Sequence, residues 1–185
     1  DTLSILIFGS FYLWYVPYFS AYSFALRRQN EYEADSFAIQ YTDTQAGGSA
    51  LLTLRLWGQR FEEVWSQYYK QVLEQMEVPT GVLLQIADTA KHALPTETAV
   101  DRLTSALRKK TGFDDTHPAT KDRLLAIGYL KEGYQVEELV PPIPAVSASE
   151  FYFGVELPYI RQELEQDYRN RAAQGWKARY ETLQE

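Results

Sequence analysis

The chain opens with an uninterrupted run of uncharged and mostly apolar positions, between Asp1 and Arg27. A helix needs roughly 20 such residues to cross a bilayer, and this run is long enough. Against a spanning helix stand Pro17 in its interior and a density of tyrosine and serine that is more typical of a membrane interface than of the hydrocarbon centre. The pattern therefore predicts an apolar helix. It leaves open whether this helix spans or re-enters a membrane, lies at the membrane surface, or is buried in a domain.

Helical periodicity continues after the apolar run, and residues 27–41 are predicted to extend the same helix. The composition of residues 42–49 predicts a loop, with Ser49 as the cap of the next helix. A long amphipathic helix is then predicted from about 49 to 76. Its apolar positions are Leu52, Leu56, Phe61, Val64, Trp65, Tyr68 and Val72.

Three shorter helices are predicted in the middle of the chain. The first lies within 81–94, and Pro95 with Thr96 begins the second. The third is the stretch THPATKDRLLAIGYL, entered through Thr116 and Pro118. Its inward-facing positions are predicted to be Leu124, Leu125 and Ile127.

The C-terminal part combines a stiff connector with a helical tail. The sequence VPPIPAV at 140–146 predicts an extended segment. From Ser147 onward the pattern is helical again, with an interruption near Pro158 and apolar residues spaced by four. These are Leu164, Tyr168, Ala172, Trp176 and Tyr180.

No stretch shows convincing period-two alternation, so the predicted fold class is all-α: a compact multi-helix domain with an N-terminal apolar helix and a C-terminal helical tail. The predicted segments are an apolar helix at 1–28, a helical domain at 27–135, a proline-rich connector at 136–146 and a helical tail at 147–185. At 185 residues the chain is long enough for one real core.

Charge and composition exclude several classes of function. The net charge is −7, and the basic residues form no stripe, so nucleic acid is not an expected partner. There are no cysteines, which excludes disulfides and thiolate metal sites. His92 and His117 are the only two histidines.

Glu31 and Asp35 stand four residues apart on a predicted helix. Their side chains are therefore about 40° apart around the helix axis, and both can face one point. Such a pair suits a metal ligand and a carboxylate that accepts a hydrogen bond from a metal-bound histidine. Charged pairs at this spacing are also common on solvated helix faces, so the pair alone does not distinguish a site from an ordinary surface.

Two longer strings narrow the choice. SFALRRQNEYEADSFA, followed by DDTHPATKDRLLAIG, resembles the C-terminal portion of the zinc metallopeptidases (gluzincin type) that include the HtpX-type proteases and the CAAX prenyl proteases. The resemblance covers about residues 10 to 130. It implies that Glu31 is a zinc ligand and that Asp35 supports a zinc-bound histidine. Arg28 matches the family pattern, whereas Arg27 replaces the serine usual before it.

The resemblance also gives roles to the second string. His117, taken alone, is an ordinary capping or core histidine. By resemblance it lies beside the zinc, where it hydrogen-bonds the oxyanion or occupies the fourth zinc position in a resting enzyme. Asp114 or Asp115 is expected to orient its ring. Arg123 matches the family arginine and is a candidate catalytic residue that pairs with a site carboxylate. His92 has no motif around it and is interpreted as structural.

The main departure is that the chain contains no H-E-x-x-H motif, which supplies two zinc ligands and the general base in such enzymes. The predicted function is therefore that of a C-terminal part of a zinc metalloendopeptidase. The motif is expected upstream in the same protein, and the chain alone is expected to be inactive. Expected partners are a protein or peptide substrate and a membrane, with a membrane-associated location. The alternative is a non-catalytic helical module for protein interaction or membrane association.

Overall fold

The computed structural model describes the backbone of residues 2–184 and the side chains of residues 8–184. The side chains at the start of the predicted apolar segment, residues 1–7, lie outside the described residues. Within the described part the chain is helical and contains no strand, which confirms the predicted all-α class. Its α-helices are α1 (Thr2–Tyr41), α2 (Thr44–Lys70), α3 (Val82–Thr89), α4 (Thr96–Arg108), α5 (Thr120–Ala126), α6 (Ala148–Phe153) and α7 (Leu157–Gln184). Short 3-10 helices occupy Gln71–Leu73, Val136–Leu139 and Gly154–Glu156.

The residues form two compact units, and each is discontinuous in sequence. Unit 1 comprises residues 1–55 and 96–141, and unit 2 comprises residues 56–95 and 142–185. The four predicted segments follow the order of the chain rather than these contacts, and their boundaries stay a prediction.

Helix α1 confirms that the apolar run continues into the following polar segment as one helix, 40 residues long, with Pro17 in its interior. Between residues 8 and 22, α1 exposes large side chains on every side of the helix, including Trp14, Tyr18 and Tyr22 at 62%, 69% and 72% exposure. No helix in the described part of the chain is both long and apolar enough to cross a membrane.

The loop predicted at 42–49 is confirmed only at residues 42 and 43 and is wrong for 44–49, and the assignment of Ser49 as a cap is wrong. Helix α2 begins at Thr44, because Asp43 Oδ1 accepts a hydrogen bond of 2.7 Å from the amide of Ala46. This bond satisfies one of the free amides at the start of a helix. Gly47 and Gly48 thus lie inside the helix.

Those two glycines allow close packing in unit 1. A Cβ at Gly47 would stand 2.6 Å from Ile39 Cγ2, and a Cβ at Gly48 would overlap the ring of Tyr129. Glycine within a helix costs about 1 kcal/mol relative to alanine. Here the close approach of Tyr129 offsets that cost.

Helix α5 is shorter than predicted. It begins at Thr120 rather than at Thr116, and Ala119 before it is extended, with φ −61° and ψ 145°. Leu124 is fully buried and Ile127 is 5% exposed, as predicted, but Leu125 is 51% exposed. The inward packing predicted for Leu125 is therefore wrong, because its position is about 100° around the helix from Leu124.

The remaining core of unit 1 comes mainly from α4, which packs on α5 and on the 3-10 helix at 136–139, while α1 packs on α5. This packing fixes α5 against the charged part of α1. The buried apolar side chains of unit 1 are Leu52, Ala99, Leu103, Ala106, Leu107, Ala119, Leu124, Ile127, Leu130 and Leu139.

Unit 2 has its own core, built by the end of α2, α3 and the C-terminal tail. Its buried members are Val64, Tyr68, Val72, Val78, Val82 and Trp176. Tyr168, Ala172 and Tyr180 pack against this cluster, which confirms that most of the predicted stripe of α7 faces a core. Leu164 is the exception and is 53% exposed.

The helical tail is interrupted at Gly154, four residues before Pro158, near which the interruption was predicted. The capping box formed by Ser147 and Glu150 begins α6, a signal present in the sequence that the periodicity did not use. Gly154, with φ 47°, ends α6, whereas Pro158 lies in the first turn of α7. Proline is tolerated there because the first helical amides have no partner in the helix.

Candidate functional site

Unit 1 brings together four of the five predicted site residues, from α1 and from the segment that leads into α5. Glu31 and Asp35 lie one turn apart on α1. His117, 86 residues after Glu31, directs its Nδ1 atom onto Glu31 Oε1. The His117 side chain is 74% exposed and that of Glu31 is 24% exposed. The motif that contains Glu31 and the motif that contains His117 therefore meet at one site.

Arg123 on α5 links both carboxylates. Its Nε and Nη2 atoms donate to Asp35 Oδ2 and Oδ1, each at 2.7 Å. Its Nη1 atom lies 2.9 Å from Glu31 Oε2. Hydrogen bonding to Asp35 raises the pKa of Arg123 above its usual value. The guanidinium is permanently charged and fixes both carboxylates relative to α5.

Asp35 was predicted to accept a hydrogen bond from a zinc-bound histidine. In the structure both of its oxygens accept from Arg123, and its side chain is 12% exposed. The pairing predicted for Arg123 with a site carboxylate is thus present twice over.

Glu31 Oε2 is the atom of this cluster that best fits a metal. It is buried and has no hydrogen bond, although Arg123 Nη1 is close to it. The guanidinium of Arg123 offsets part of the cost of burying this charged oxygen, and a bound cation would offset more of it. Glutamate and histidine are both ordinary zinc ligands. Within the described residues, however, no group of three or more metal-ligating side chains is present.

A network of hydrogen bonds holds the segment that carries His117. Arg28 Nη1 donates to the carbonyl oxygen of Asp115 at 2.6 Å. Thr111 Oγ1 accepts from the amide of Ala119 at 2.8 Å. No sequence motif indicates a role for Thr111, and Arg28 is identifiable from the sequence only as a match to the family pattern. The hydrogen bond from the Ala119 amide to the Thr111 hydroxyl spans eight residues, which matches no local motif, so the sequence could not indicate it.

The side chain of Asp115 contacts Gly112 and Lys109. Its Oδ2 accepts from the amide of Gly112 at 2.8 Å, and its Oδ1 lies 3.2 Å from Lys109 Nζ. These contacts, led by the Gly112 amide, lower the pKa of Asp115. Asp115 therefore shapes the loop before His117, and its orienting of the His117 ring stays a prediction.

A cavity of about 340 Å³ adjoins this cluster, entirely within unit 1. His117 and Arg123 form part of its wall, and the rest comes from α2, from the end of α4 and from the loop before α5. His92 lies in unit 2, where its Nδ1 atom is 2.9 Å from the carbonyl oxygen of Asp88.

Comparison with known protein families gives a match to the two motifs. A sequence model of peptidase family M48 matches residues 5–131, which include both motifs and all of the cluster described above. No curated protein and no solved structure matches the chain. The match covers more than half of the chain, and it confirms the resemblance to zinc metallopeptidases inferred from the two motifs. The chain belongs to peptidase family M48, and its origin is that of a peptidase.

Proposed function

We propose that the complete protein is a zinc-dependent metalloendopeptidase and that this chain supplies one zinc ligand, Glu31. Two histidine ligands and a glutamate general base would come from an H-E-x-x-H segment of the same protein, since the chain itself has no such motif. Its substrate would be a protein or peptide. The chain alone would not hydrolyse peptide bonds.

The observation that carries this proposal is the meeting of Glu31 with His117 and Arg123: Oε1 contacts His117 Nδ1, and the buried Oε2, which has no hydrogen bond, lies 2.9 Å from Arg123 Nη1. An ordinary surface glutamate would be hydrated. Zinc, when bound, supplies Lewis-acid polarisation of the scissile carbonyl. Arg123 keeps the Glu31 carboxylate in place through Nη1 while its other two donors are held by Asp35.

His117 is proposed to stabilise the oxyanion. Its Nδ1 atom faces Glu31 and its side chain is mostly exposed, so the Nε2 edge of the ring is the part that could meet a substrate. A donor aimed at the developing oxyanion contributes roughly 3 kcal/mol in comparable enzymes. The same imidazole could instead occupy the fourth zinc position in the resting enzyme.

The test is the Glu31→Gln variant of the complete protein, with Glu33→Gln as the matched control. Glu33 is two residues away on the same helix and exposed, with a hydrogen bond to Gln29. We expect Glu31→Gln to lower the bound zinc and to abolish peptide hydrolysis, and Glu33→Gln to change neither. Zinc would be measured by atomic emission and hydrolysis with a quenched fluorescent peptide.

Unchanged zinc content and unchanged hydrolysis in Glu31→Gln would overturn this proposal and favour the second candidate, a non-catalytic helical module. That candidate has support in the exposed apolar side chains of α6 and the 3-10 helix after it, where Phe151, Tyr152 and Val155 are 74%, 78% and 83% exposed. Large exposed apolar patches mark interaction sites.

We also propose that α1 attaches the protein to a membrane. Its described N-terminal half exposes tryptophan and tyrosine, which favour the interface between water and lipid. Cosedimentation with phosphatidylcholine vesicles would test this. Replacing Phe11, Trp14 and Tyr18 by serine should abolish binding, and retention of binding by the triple variant would contradict the proposal.

A further inference from the structure

We propose that the cavity beside His117 and Arg123 is a substrate subsite that binds a carboxylate of the peptide, with Arg55 as the residue that recognises it. This inference rests on the peptidase function proposed above. It adds the chemical class of residue that the enzyme would prefer near the scissile bond.

The position of the cavity supports a substrate subsite. His117 and Arg123 line one side, so a peptide bound at Glu31 and His117 has its neighbouring side chains within reach of the cavity. A volume of about 340 Å³ is at the lower end of known ligand pockets, roughly 300–1,000 Å³, and is of the order needed for a few side chains.

The charge of the cavity wall selects the kind of side chain. Arg55, Lys109 and Arg123 are its basic members, and Asp115 is its acidic one. Arg123 is already paired with Asp35 and Glu31, and Lys109 with Asp115. Arg55 forms no ion pair with any residue in the described part of the chain. The positive charge of the cavity that is still available to a ligand is therefore that of Arg55.

This positive charge contrasts with the net charge of the whole chain, which is −7. An arginine guanidinium presents parallel N–H groups that match the two oxygens of a carboxylate. An unpaired arginine in a cavity wall consequently favours a carboxylate over a neutral or basic group.

The neighbours of Arg55 on α2 add an apolar surface. Leu51 is four residues before Arg55 and therefore on the same face of the helix, and Leu54 also lines the cavity while being 69% exposed. These leucines can cover the methylene groups of a glutamate or an apolar residue beside it. The expected ligand is an acidic residue flanked by apolar ones.

Two sources can supply the carboxylate, an acidic side chain within the peptide or the carboxyl group at its C-terminus. The experiment separates them with three fluorescein-labelled peptides of otherwise identical apolar sequence. One contains a central glutamate and an amidated C-terminus, one a central glutamine and an amidated C-terminus, and one the glutamine with a free C-terminus.

Binding to the zinc-free complete protein would be measured by fluorescence anisotropy, which needs neither zinc nor hydrolysis. We expect the amidated glutamate peptide to bind about tenfold more tightly than its glutamine counterpart, since a guanidinium forms charge-assisted hydrogen bonds with a carboxylate but not with a neutral amide. Tighter binding of the free C-terminus than of the glutamate peptide would assign the subsite to the terminal carboxylate. Equal binding of all three peptides would overturn the inference.

Variants then test the residue. Arg55→Gln should remove the preference for the carboxylate, and Arg55→Lys should restore part of it. The matched control is Arg27→Gln, which removes one exposed arginine of the same unit outside the cavity wall. A preference that survives in Arg55→Gln would overturn the role of Arg55.

The complete protein separates this inference from the proposed function. If it hydrolyses the glutamate and glutamine peptides with equal kcat/KM, the subsite is wrong while the peptidase stands. If it binds no zinc and hydrolyses neither peptide, but its binding still depends on the glutamate and on Arg55, the peptidase is wrong while the carboxylate site stands.

Discussion

Arg123 and Asp35 lie 88 residues apart in the sequence and form a two-pronged ion pair, with Nε to Oδ2 and Nη2 to Oδ1 both at 2.7 Å. The third arm of the guanidinium reaches Glu31. This pair joins α1 to α5 and sets the position of the residue proposed to bind zinc. The geometry of the site therefore depends on a contact between two residues that lie far apart in the sequence.

Replacing Arg123 by lysine should destabilise unit 1, because one ammonium cannot reproduce three directed contacts. The expected loss in the free energy of unfolding is about 1–3 kcal/mol, since both side chains are mostly buried. Urea unfolding followed by circular dichroism would measure it. Arg27→Lys, at an exposed arginine of α1, should have no effect. Equal stability of Arg123→Lys and the wild type would contradict this prediction.

Replacing Gly48 by alanine should destabilise the protein by about 1–3 kcal/mol, because the new methyl group would overlap the ring of Tyr129. Gly58, in the same helix, has nothing within 4 Å of its would-be Cβ. Gly58→Ala should therefore stabilise the protein by up to about 1 kcal/mol through helix propensity.

The double variant Gly48→Ala with Tyr129→Ala identifies the cause. If the clash is responsible, the loss from Gly48→Ala should largely disappear once the Tyr129 ring is absent. An undiminished loss in that background would assign the effect to something other than the clash.

Replacing Trp176 by alanine should cost about 3–5 kcal/mol of the stability of unit 2. The indole is 5% exposed, lies with its ring centroid 5.1 Å from that of Tyr68, and donates to the carbonyl oxygen of Gln75 at 3.0 Å. Phe151→Ala is the control, because Phe151 is 74% exposed in the same unit and its loss should stay within about 0.5 kcal/mol. Hydrogen exchange of residues 64–78 would report the change, and full protection in Trp176→Ala would refute the role of the tail in this core.

The start of α6 should weaken in acid. Hydrogen bonding to Lys91, and then to Ser147, lowers the pKa of Glu150 from 4.5 to about 2. Because the carboxylate form is the one stabilised in the folded state, this contribution is fully present above about pH 4.5 and is lost as the pH falls towards 2. A carboxyl titration by nuclear magnetic resonance should give a midpoint near 2, and a midpoint near 4.5 would show that the pairing does not form in solution.

The stability difference between wild type and Glu150→Gln gives an independent measure of the same contact. It should be larger at pH 5 than at pH 2.5, since glutamine cannot form the ion pair at either pH. Glu156→Gln, at an exposed glutamate of the adjoining 3-10 helix, serves as the control with no such pH dependence expected.

Most of the helices could be predicted from the sequence, because the signals that begin and repeat a helix act over three to five residues. The same holds for the placing of Glu31 and Asp35 on one helix face. The loop predicted at 42–49 failed for the opposite reason. Two consecutive glycines locally indicate a break in a helix. Here the absence of a side chain at Gly48 lets the ring of Tyr129, some 80 residues later, pack against the helix.

The sequence alone determined the helical class, the register of the two carboxylates and the family, since each depends on short motifs or on local periodicity. Only the tertiary structure decided what those groups contact. In the folded chain Asp35 pairs with Arg123, and His117 contacts Glu31, whose Oε2 atom has no hydrogen bond. Arg55 lies in the wall of the adjoining cavity. These relationships join positions up to 88 residues apart, and they follow from how α1, α2 and α5 pack, which no local pattern records.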